Sequence, residues 1–311
     1  MQGLIQLPKN IIVTGATGLI GKKLCEKLNK QGANVFVFTR NPENAKKVLP
    51  YMREYIKWNP MNISSWIDKI NGKDAIINLA GENIMSRRWN EKHKKKITQS
   101  RLITTRALVN AINHVENRPA VFISASAIGY YGFTGNAEIT EESKPGEDFL
   151  ALLTQKWERE AIDVEYLGVR RVSIRIGVVL DKSGGALARM IIPFKFFAGG
   201  PLGSGKQWFS WIHIDDLVNL FLFALDNENM KGVYNATAPH PVRMKDFAKM
   251  LGKILHRPSI LPVPGFVLKI MLGEGAEYLI KGSRVFPIKT LAAGFKFKYE
   301  SAEAALSHLL N

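Results

Sequence analysis

The chain has 311 residues, 46% of them hydrophobic, and a single cysteine. That content supports a sizeable core and excludes a disordered chain, and one cysteine excludes an internal disulfide. Lysine and arginine outnumber aspartate and glutamate 43 to 27, giving a formal net charge of +16, a balance suited to nucleic acid, an anionic membrane surface, or an anionic cofactor and substrate.

The opening MQGLIQLPKN lacks the charged start and apolar stretch of a signal peptide. No segment has the roughly 18 uninterrupted apolar residues of a spanning helix. The expectation is a cytoplasmic protein with no membrane partner.

Residues 11–13 read as the end of a buried strand. Leu19, Ile20, Leu24 and Leu28 then recur at helical spacing, with Cys25 beside them as a small core residue. Between strand and helix lies Gly15-Ala16-Thr17-Gly18-Leu19-Ile20-Gly21. A strand turning sharply into a helix aims free backbone N–H groups and the positive helix end at one point, which suits a pyrophosphate. Gly15 takes a turn conformation closed to other residues, Gly18 clears the phosphate approach, and Gly21 lets the helix pack against its strand. The spacing alone is weak; the strand–turn–helix context makes it a dinucleotide signal.

Further strands are expected at 35–38, 55–58, 75–79, 121–124 and 172–175. Helices are expected at 43–48, up to about 113, and at 149–166. This alternation calls for a parallel sheet covered on both faces, a doubly wound α/β (Rossmann) fold. After Gly177 the pattern changes. Loop signals at 183–185 and 199–205 bracket an apolar helical stretch with Met190, Ile191 and Phe194. A helix at 215–225 and a short strand at 234–236 come next, and from Met244 the chain reads as mainly helical. The expected organisation is a nucleotide-binding domain over 1–180, to which 207–236 returns. Segments 181–206 and 237–311 then form a small helical substrate or lid subdomain over the C-terminal edge of the sheet.

NAD-binding folds commonly carry an acid at the end of the second strand to hold the ribose hydroxyls. Here that place reads Phe38-Thr39-Arg40-Asn41. Arg40 suits a bidentate contact with a 2′-phosphate and stacking on adenine, so Thr39 and Arg40 favour NADP. The competing reading is a surface arginine at the strand end. The basic run at 87–96 leads into a helix and accompanies no nucleic-acid motif, so no nucleic-acid partner is expected.

These residues resemble the extended branch of the short-chain dehydrogenase/reductase superfamily. The resemblance covers nearly the whole chain. It rests on Asn78-Leu79-Ala80-Gly81, on the stretch from Ser124 to Gly132, on 174–180, and on Trp211-Ile212-His213-Ile214-Asp215-Asp216. A narrower subgroup is closer still: NAD(P)-dependent epimerase-like proteins with an added C-terminal domain of unknown function. Its features here are Ala80-Gly81-Glu82-Asn83-Ile84, Arg88-Trp89, Trp157-Glu158, Gly205-Lys206-Gln207-Trp208 and Gly294-Phe295-Lys296-Phe297. The resemblance implies that Leu79, Ala80, Gly81 and Glu82 lie along the cofactor. It also implies a small anionic substrate of sugar-nucleotide type, and a homodimer is among the expectations.

The resemblance also implies a catalytic tyrosine and a lysine four residues later, the ammonium bringing a phenol of pKa near 10 toward neutrality. Their places fall at Leu150 and Thr154, and no Tyr-x-x-x-Lys occurs anywhere in the chain. Ser126 resembles the serine that hydrogen-bonds a substrate oxygen. Tyr130 and Tyr131 are the candidate replacement phenols or else wall residues, Lys156 sits near the missing lysine, and His213 is a candidate substrate contact. Two readings stay open. One is an NADP-dependent oxidoreductase or epimerase with a rearranged acid/base; the other is a non-catalytic NADP(H)-binding sensor or partner-binding protein.

Overall fold

The computed structural model describes residues 9–311. Seven parallel strands form the central sheet. The first four are β1 (Asn10–Thr14), β2 (Asn34–Thr39), β3 (Glu54–Lys57) and β4 (Ala75–Asn78). The others are β5 (Val121–Ala127), then the Arg170–Ile176 and Gly232–Ala236 strands. From one edge the order is Gly232–Ala236, Arg170–Ile176, β5, β4, β1, β2, β3. The strand order reverses between β1 and β4, the place where doubly wound sheets bind ligands.

Alternation along each strand shows why both faces are covered. Ile11, Val13, Ile77 and Ile123 point into one core, while Ile12, Ile76 and Phe122 point into the other. The first eight helices in chain order are α1 (Leu19–Lys30), α2 (Pro42–Val48), α3 (Glu91–His114), α4 (Phe149–Ile162), α5 (Gly185–Lys195), α6 (Ile214–Asp226), α7 (Met244–Leu255) and α8 (Gly265–Leu272). Leu24 and Leu28 of α1 and Leu217 and Phe221 of α6 fill the first core. Leu108 and Ile112 of α3 and Ala161 of α4 help fill the second. Among the described residues no helix is long and apolar enough to cross a membrane.

The helix expected over 149–166 stops at Ile162. A short 3-10 turn at Glu165–Leu167 comes next, and Gly168 in the left-handed region (φ +78°) reverses the chain. Three short strand pairs escaped the sequence reading. Val178–Asp181 runs parallel to Trp211–His213, Trp208–Phe209 antiparallel to Val242–Arg243, and Glu138–Ile139 parallel to Arg284–Val285. Five of these six strands have only two or three residues, too short for periodicity to register.

The C-terminal region divides. Phe295, Phe297, Tyr299 and the helix Ala302–Leu310 belong to the same core as β1 and α6. Both oxygens of the buried Asp216 carboxylate accept backbone N–H groups there, from Lys298 and Tyr299 at 2.9 Å each. Burial pushes the Asp216 carboxyl above its ordinary range, opposed by those two bonds. The α8 region instead reaches the strand-end side, where Trp89 N–H donates to Leu272 O at 2.9 Å.

One backbone contact locks the first turn. Gly15 has φ +66°, and a Cβ there would lie 2.6 Å from Leu79 O. A Cβ on Gly21 would lie 2.3 Å from Gly15 O and 2.7 Å from Ala16 Cα. Neither neighbour is a side chain that could swing away. Gly21→Ala is therefore expected to cost about 1–3 kcal/mol and to lower dinucleotide affinity, checked by thermal unfolding and a fluorescence titration. Unchanged stability and affinity would show that this contact does not lock the turn.

Candidate functional site

The nucleotide cradle is the turn from Gly15 to Gly21. Gly18 N–H donates to Gly15 O at 3.0 Å and closes it. α1 begins at Leu19 with no side chain capping its first turn, so its first N–H groups stay available to an anion. Ala16 is buried, Thr17 and Gly18 are exposed, and Leu19 and Ile20 are half-buried. The Gly184–Gly185 turn leans on Leu19: a Cβ on either would sit 3.1 Å from its methyl groups.

At the end of β2, Thr39 Oγ1 accepts Asn41 N–H at 3.2 Å, and Asn41 caps α2 by accepting Asn44 N–H at 3.0 Å. These bonds shape the turn around Arg40. The Arg40 side chain is exposed, and among the described residues no hydrogen bond or ion pair engages it.

The β4 end is held from inside. Thr14 Oγ1 donates to Asn78 Oδ1 at 2.7 Å, and Asn78 Nδ2 donates to Thr105 Oγ1 at 2.9 Å. Trp157 Nε1 donates to the same Thr105 oxygen at 3.0 Å. Ala80 N–H is shared between Thr14 Oγ1 (3.2 Å) and Asn78 Oδ1 (3.4 Å). Helix α3 grips the loop beyond Gly81: Glu82 N–H donates to Ser100 Oγ at 2.9 Å and Arg101 donates to Glu82 O at 3.0 Å. Burial lowers the Arg101 guanidinium to about 10, against the pull of Glu82. Leu79, Ala80, Gly81 and Glu82 are thus presented at the same edge as the glycine turn.

Within 87–96, Lys94 pairs with Glu91 (2.6 Å) and Glu274 (2.9 Å), and Lys96 with Glu82 (3.4 Å). Part of the charge of that run is therefore engaged by local acids.

Beyond β5 the expected acid/base positions hold Leu150 and Thr154. Both are buried in α4, and Thr154 Oγ1 donates back to Leu150 O at 2.7 Å. Lys156 is exposed on the other side of the helix. A different polar cluster lies here. Ser126 Oγ donates to Glu158 Oε1 at 2.5 Å. Arg175 clamps Glu158 with two parallel bonds of 2.8 Å, Nε to Oε1 and Nη2 to Oε2. Burial opposes the Arg175 charge, yet the Glu158 bonds and charge outweigh it and hold the guanidinium above the ordinary arginine range. Arg175 Nη1 donates to Tyr131 OH at 2.9 Å, and that hydroxyl donates to Asn235 Oδ1 at 2.7 Å.

Tyr131 is buried, which pushes its phenol up to about 12 in spite of Arg175. Its oxygen already donates and accepts. Tyr130 is half-buried, and its ring lies under the Arg175 guanidinium, 3.4 Å from Cζ to centroid. No hydrogen bond engages its hydroxyl among the described residues. Ser126, Tyr130 and Tyr131 are therefore brought together, through Glu158 and Arg175.

The sequence reading assigned no role to Glu158 or Arg175. A signal for Arg175 was present: a charge between Ile174 and Ile176, inside a run reading as a buried strand, needs a buried partner.

His213 is fully buried. Its Nδ1 accepts Asp215 N–H at 3.0 Å, capping α6, so Nε2 carries the proton and faces His308 Nδ1 at 3.2 Å. The ring stacks on Tyr299 with centroids 3.9 Å apart. Neither hydrogen-bond partner belongs to the Ser126 cluster, so the sequence expectation of a substrate contact meets a helix cap packed under the C-terminal helix. The trio His213, Asp215 and His308 has its ligand-type atoms within 4.8 Å of one another. The tautomer set by the Asp215 N–H leaves His213 Nε2 protonated and unsuited to a metal.

A family model described as the NAD dependent epimerase/dehydratase family matches residues 11–237. The chain belongs to that family. A second model, a domain of unknown function (DUF1731), matches residues 263–309. The chain is 45% identical over 302 residues to the chloroplastic epimerase family protein SDR39U1 homolog of Arabidopsis thaliana, covering 96% of this chain and 86% of that one. It is 40% identical to the epimerase family protein YfhF of Bacillus subtilis, covering 97% and 98%. A crystal structure of the human epimerase family protein SDR39U1 with NADPH superposes with a TM-score of 0.86 at 34% identity, over 96% and 98% of the two chains. The UDP-glucuronic acid 4-epimerase of Bacillus cereus shares the fold, with a TM-score of 0.76 at 19% identity over 96% of each chain.

The buried His213 ring carries a pH prediction. Burial lowers its pKa to about 4, from an ordinary 6.5. Below pH 6.5 the unfolded chain takes up a proton that the folded ring refuses. Stability is complete above that pH and declines as pH falls toward 4, by at most about 1.4 kcal/mol per unit from this group. Urea unfolding at pH 7.5 and 5.5 should show the loss, and His213→Asn, which keeps a capping side chain, should flatten it. Equal pH dependence in both proteins would refute the assignment.

Proposed function

We propose that this protein is an NADP(H)-dependent oxidoreductase or epimerase-like enzyme acting on a small anionic substrate of sugar-nucleotide type. The observation that carries the reading is the Ser126–Glu158–Arg175–Tyr131 cluster with Tyr130 beside it, on the strand next to the nucleotide edge. The cradle fits the cofactor: positions 15 and 21 admit no side chain, and the start of α1 is uncapped. Gly15 to Gly21 would hold the pyrophosphate, Arg40 with Thr39 the 2′-phosphate, and Leu79 to Glu82 the stretch toward the nicotinamide. The human relative crystallised with NADPH supports the choice of dinucleotide.

When bound, the nicotinamide exchanges hydride with a carbinol carbon. The chain's own part is proton handling and orientation. Ser126 donates its proton to Glu158, so its oxygen is left to accept a bond from a substrate hydroxyl. Tyr130 is the phenol free to carry the proton, since the hydroxyl of Tyr131 is fully engaged. Arg175 presents positive charge to the Tyr130 ring face and holds Glu158 in register with Ser126. The +16 net charge suits an anionic substrate.

A non-catalytic NADP(H)-binding role is the second reading. It is favoured by Leu150 and Thr154, which are buried where the superfamily's acid/base pair would stand.

Two experiments test these readings. Arg40→Asp should weaken NADPH binding about tenfold or more while sparing NADH, as expected for loss of one charged hydrogen-bonded contact of about 1.5–3 kcal/mol. Calorimetry on both proteins checks it, and equal affinity of the parent protein for the two cofactors would refute NADP preference. Phosphorylated and nucleotide-linked sugars are then screened for NADPH consumption. On any substrate turned over, Tyr130→Phe should cost about 10²–10⁴-fold in rate with cofactor affinity kept, while Tyr131→Phe should lower thermal stability. Full activity in Tyr130→Phe sinks that role; tight NADPH binding with no turnover favours the second reading.

A further inference from the structure

We propose that the face built from α5, the segment after it and α8 docks on an anionic lipid surface. Ile192, Phe196 and Phe197 are exposed on the first part of this face, and Ile260, Phe266 and Ile270 on the second. Phe196 is 78% exposed, Phe266 67% and Ile270 68%. The two parts are joined by backbone bonds: Leu261 N–H donates to Gly199 O (3.2 Å) and Val263 N–H to Pro201 O (2.9 Å). α8 starts two residues after that join. Its one buried residue is Leu268, so the helix rests on a single anchor and turns most of its apolar surface outward. Exposed apolar surface on this scale marks an interaction site in a folded protein.

Charge selects the occupant. Residues 182–214 contain Lys182, Arg189, Lys195 and Lys206 and no acid, and residues 247–273 contain Lys249, Lys253, Arg257 and Lys269 and no acid. Lys253 pairs with Glu303. Among the described residues Arg189, Lys195, Arg257 and Lys269 have no acidic partner, and the Arg257 guanidinium lies over the Phe197 ring at 4.5 Å. A second copy of this face would meet like charge. An interface of anionic headgroups over acyl chains takes both the cations and the aromatic side chains, in the manner of interfacial amphipathic helices. The sequence expectation of no membrane partner rests on the missing spanning helix. Interfacial docking needs none, so the missing spanning helix does not bear on surface contact.

The test is cosedimentation of the full chain with phosphatidylcholine vesicles, with and without one quarter phosphatidylglycerol. Binding is expected only with the anionic lipid and should weaken as salt rises. Each contacting cation should be worth roughly fivefold in affinity. Phe196→Ser with Phe266→Ser, and separately Lys195→Glu with Lys269→Glu, should each lower binding at least tenfold. All four positions are exposed and outside the nucleotide cradle, so both variants should keep parental NADPH binding and thermal stability, which controls for folding. No binding to anionic vesicles, or variants that bind like the parent, would overturn the proposal. A micromolar dimer that the phenylalanine variant abolishes, without vesicle binding by the parent, would assign the face to self-association instead. The outcome is independent of whether the Ser126 cluster is catalytic.

Discussion

The contact between two backbones at the start of the fold constrains everything built on it. Gly15, Ala16 and Gly21 meet one another without intervening side chains, and Leu79 closes on Gly15 from the neighbouring strand. Strand β1 lies between β2 and β4 in the sheet, so this is where the strand order reverses and a crevice opens. Close approach brings the uncapped start of α1 beside the β4 loop. The Thr14–Asn78–Thr105 bonds and the α3 grip on Glu82 then set that loop's height. A side chain at either glycine would move all of these together.

The second constraint is the buried pair of Glu158 and Arg175. Two charges taken out of water are tolerated only when paired and hydrogen-bonded. Here the pairing is bidentate, with the remaining capacity going to Ser126 and Tyr131. α4 is thereby tied to β5 and to the Arg170–Ile176 strand by charge as well as by apolar contact. The Arg175 guanidinium donates to the Tyr131 hydroxyl, whose pKa burial nevertheless raises, and lies over the Tyr130 ring.

The C-terminal region has two characters. Phe295, Phe297, Tyr299 and the last helix are core, bonded to Asp216 and stacked on His213. The α8 segment is a thin, apolar and basic ledge. A single lid covering the site does not describe both.

Much of the fold was legible in the amino-acid order, because period-2 and period-3.6 patterns and the glycine turn are local properties. The seven sheet strands and the flanking helices α1 to α4 and α6 come from them. The acid-free end of β2, with Arg40, was equally plain. The chain could also announce a loss, since Leu150 and Thr154 stand where tyrosine and lysine would. It could not say which polar groups gather nearby, because Ser126, Glu158, Arg175 and Asn235 lie far apart in sequence and meet only when α4 and three strands pack. His213 shows the same limit: its segment was recognisable, but whether the ring faced a cleft or capped α6 depended on Tyr299 and His308, more than eighty residues away. Local patterning determined the elements and the nucleotide turn. Tertiary packing alone decided which polar groups are partners, because burial forces each charge or hydrogen-bonding group to find a complement wherever the fold brings one.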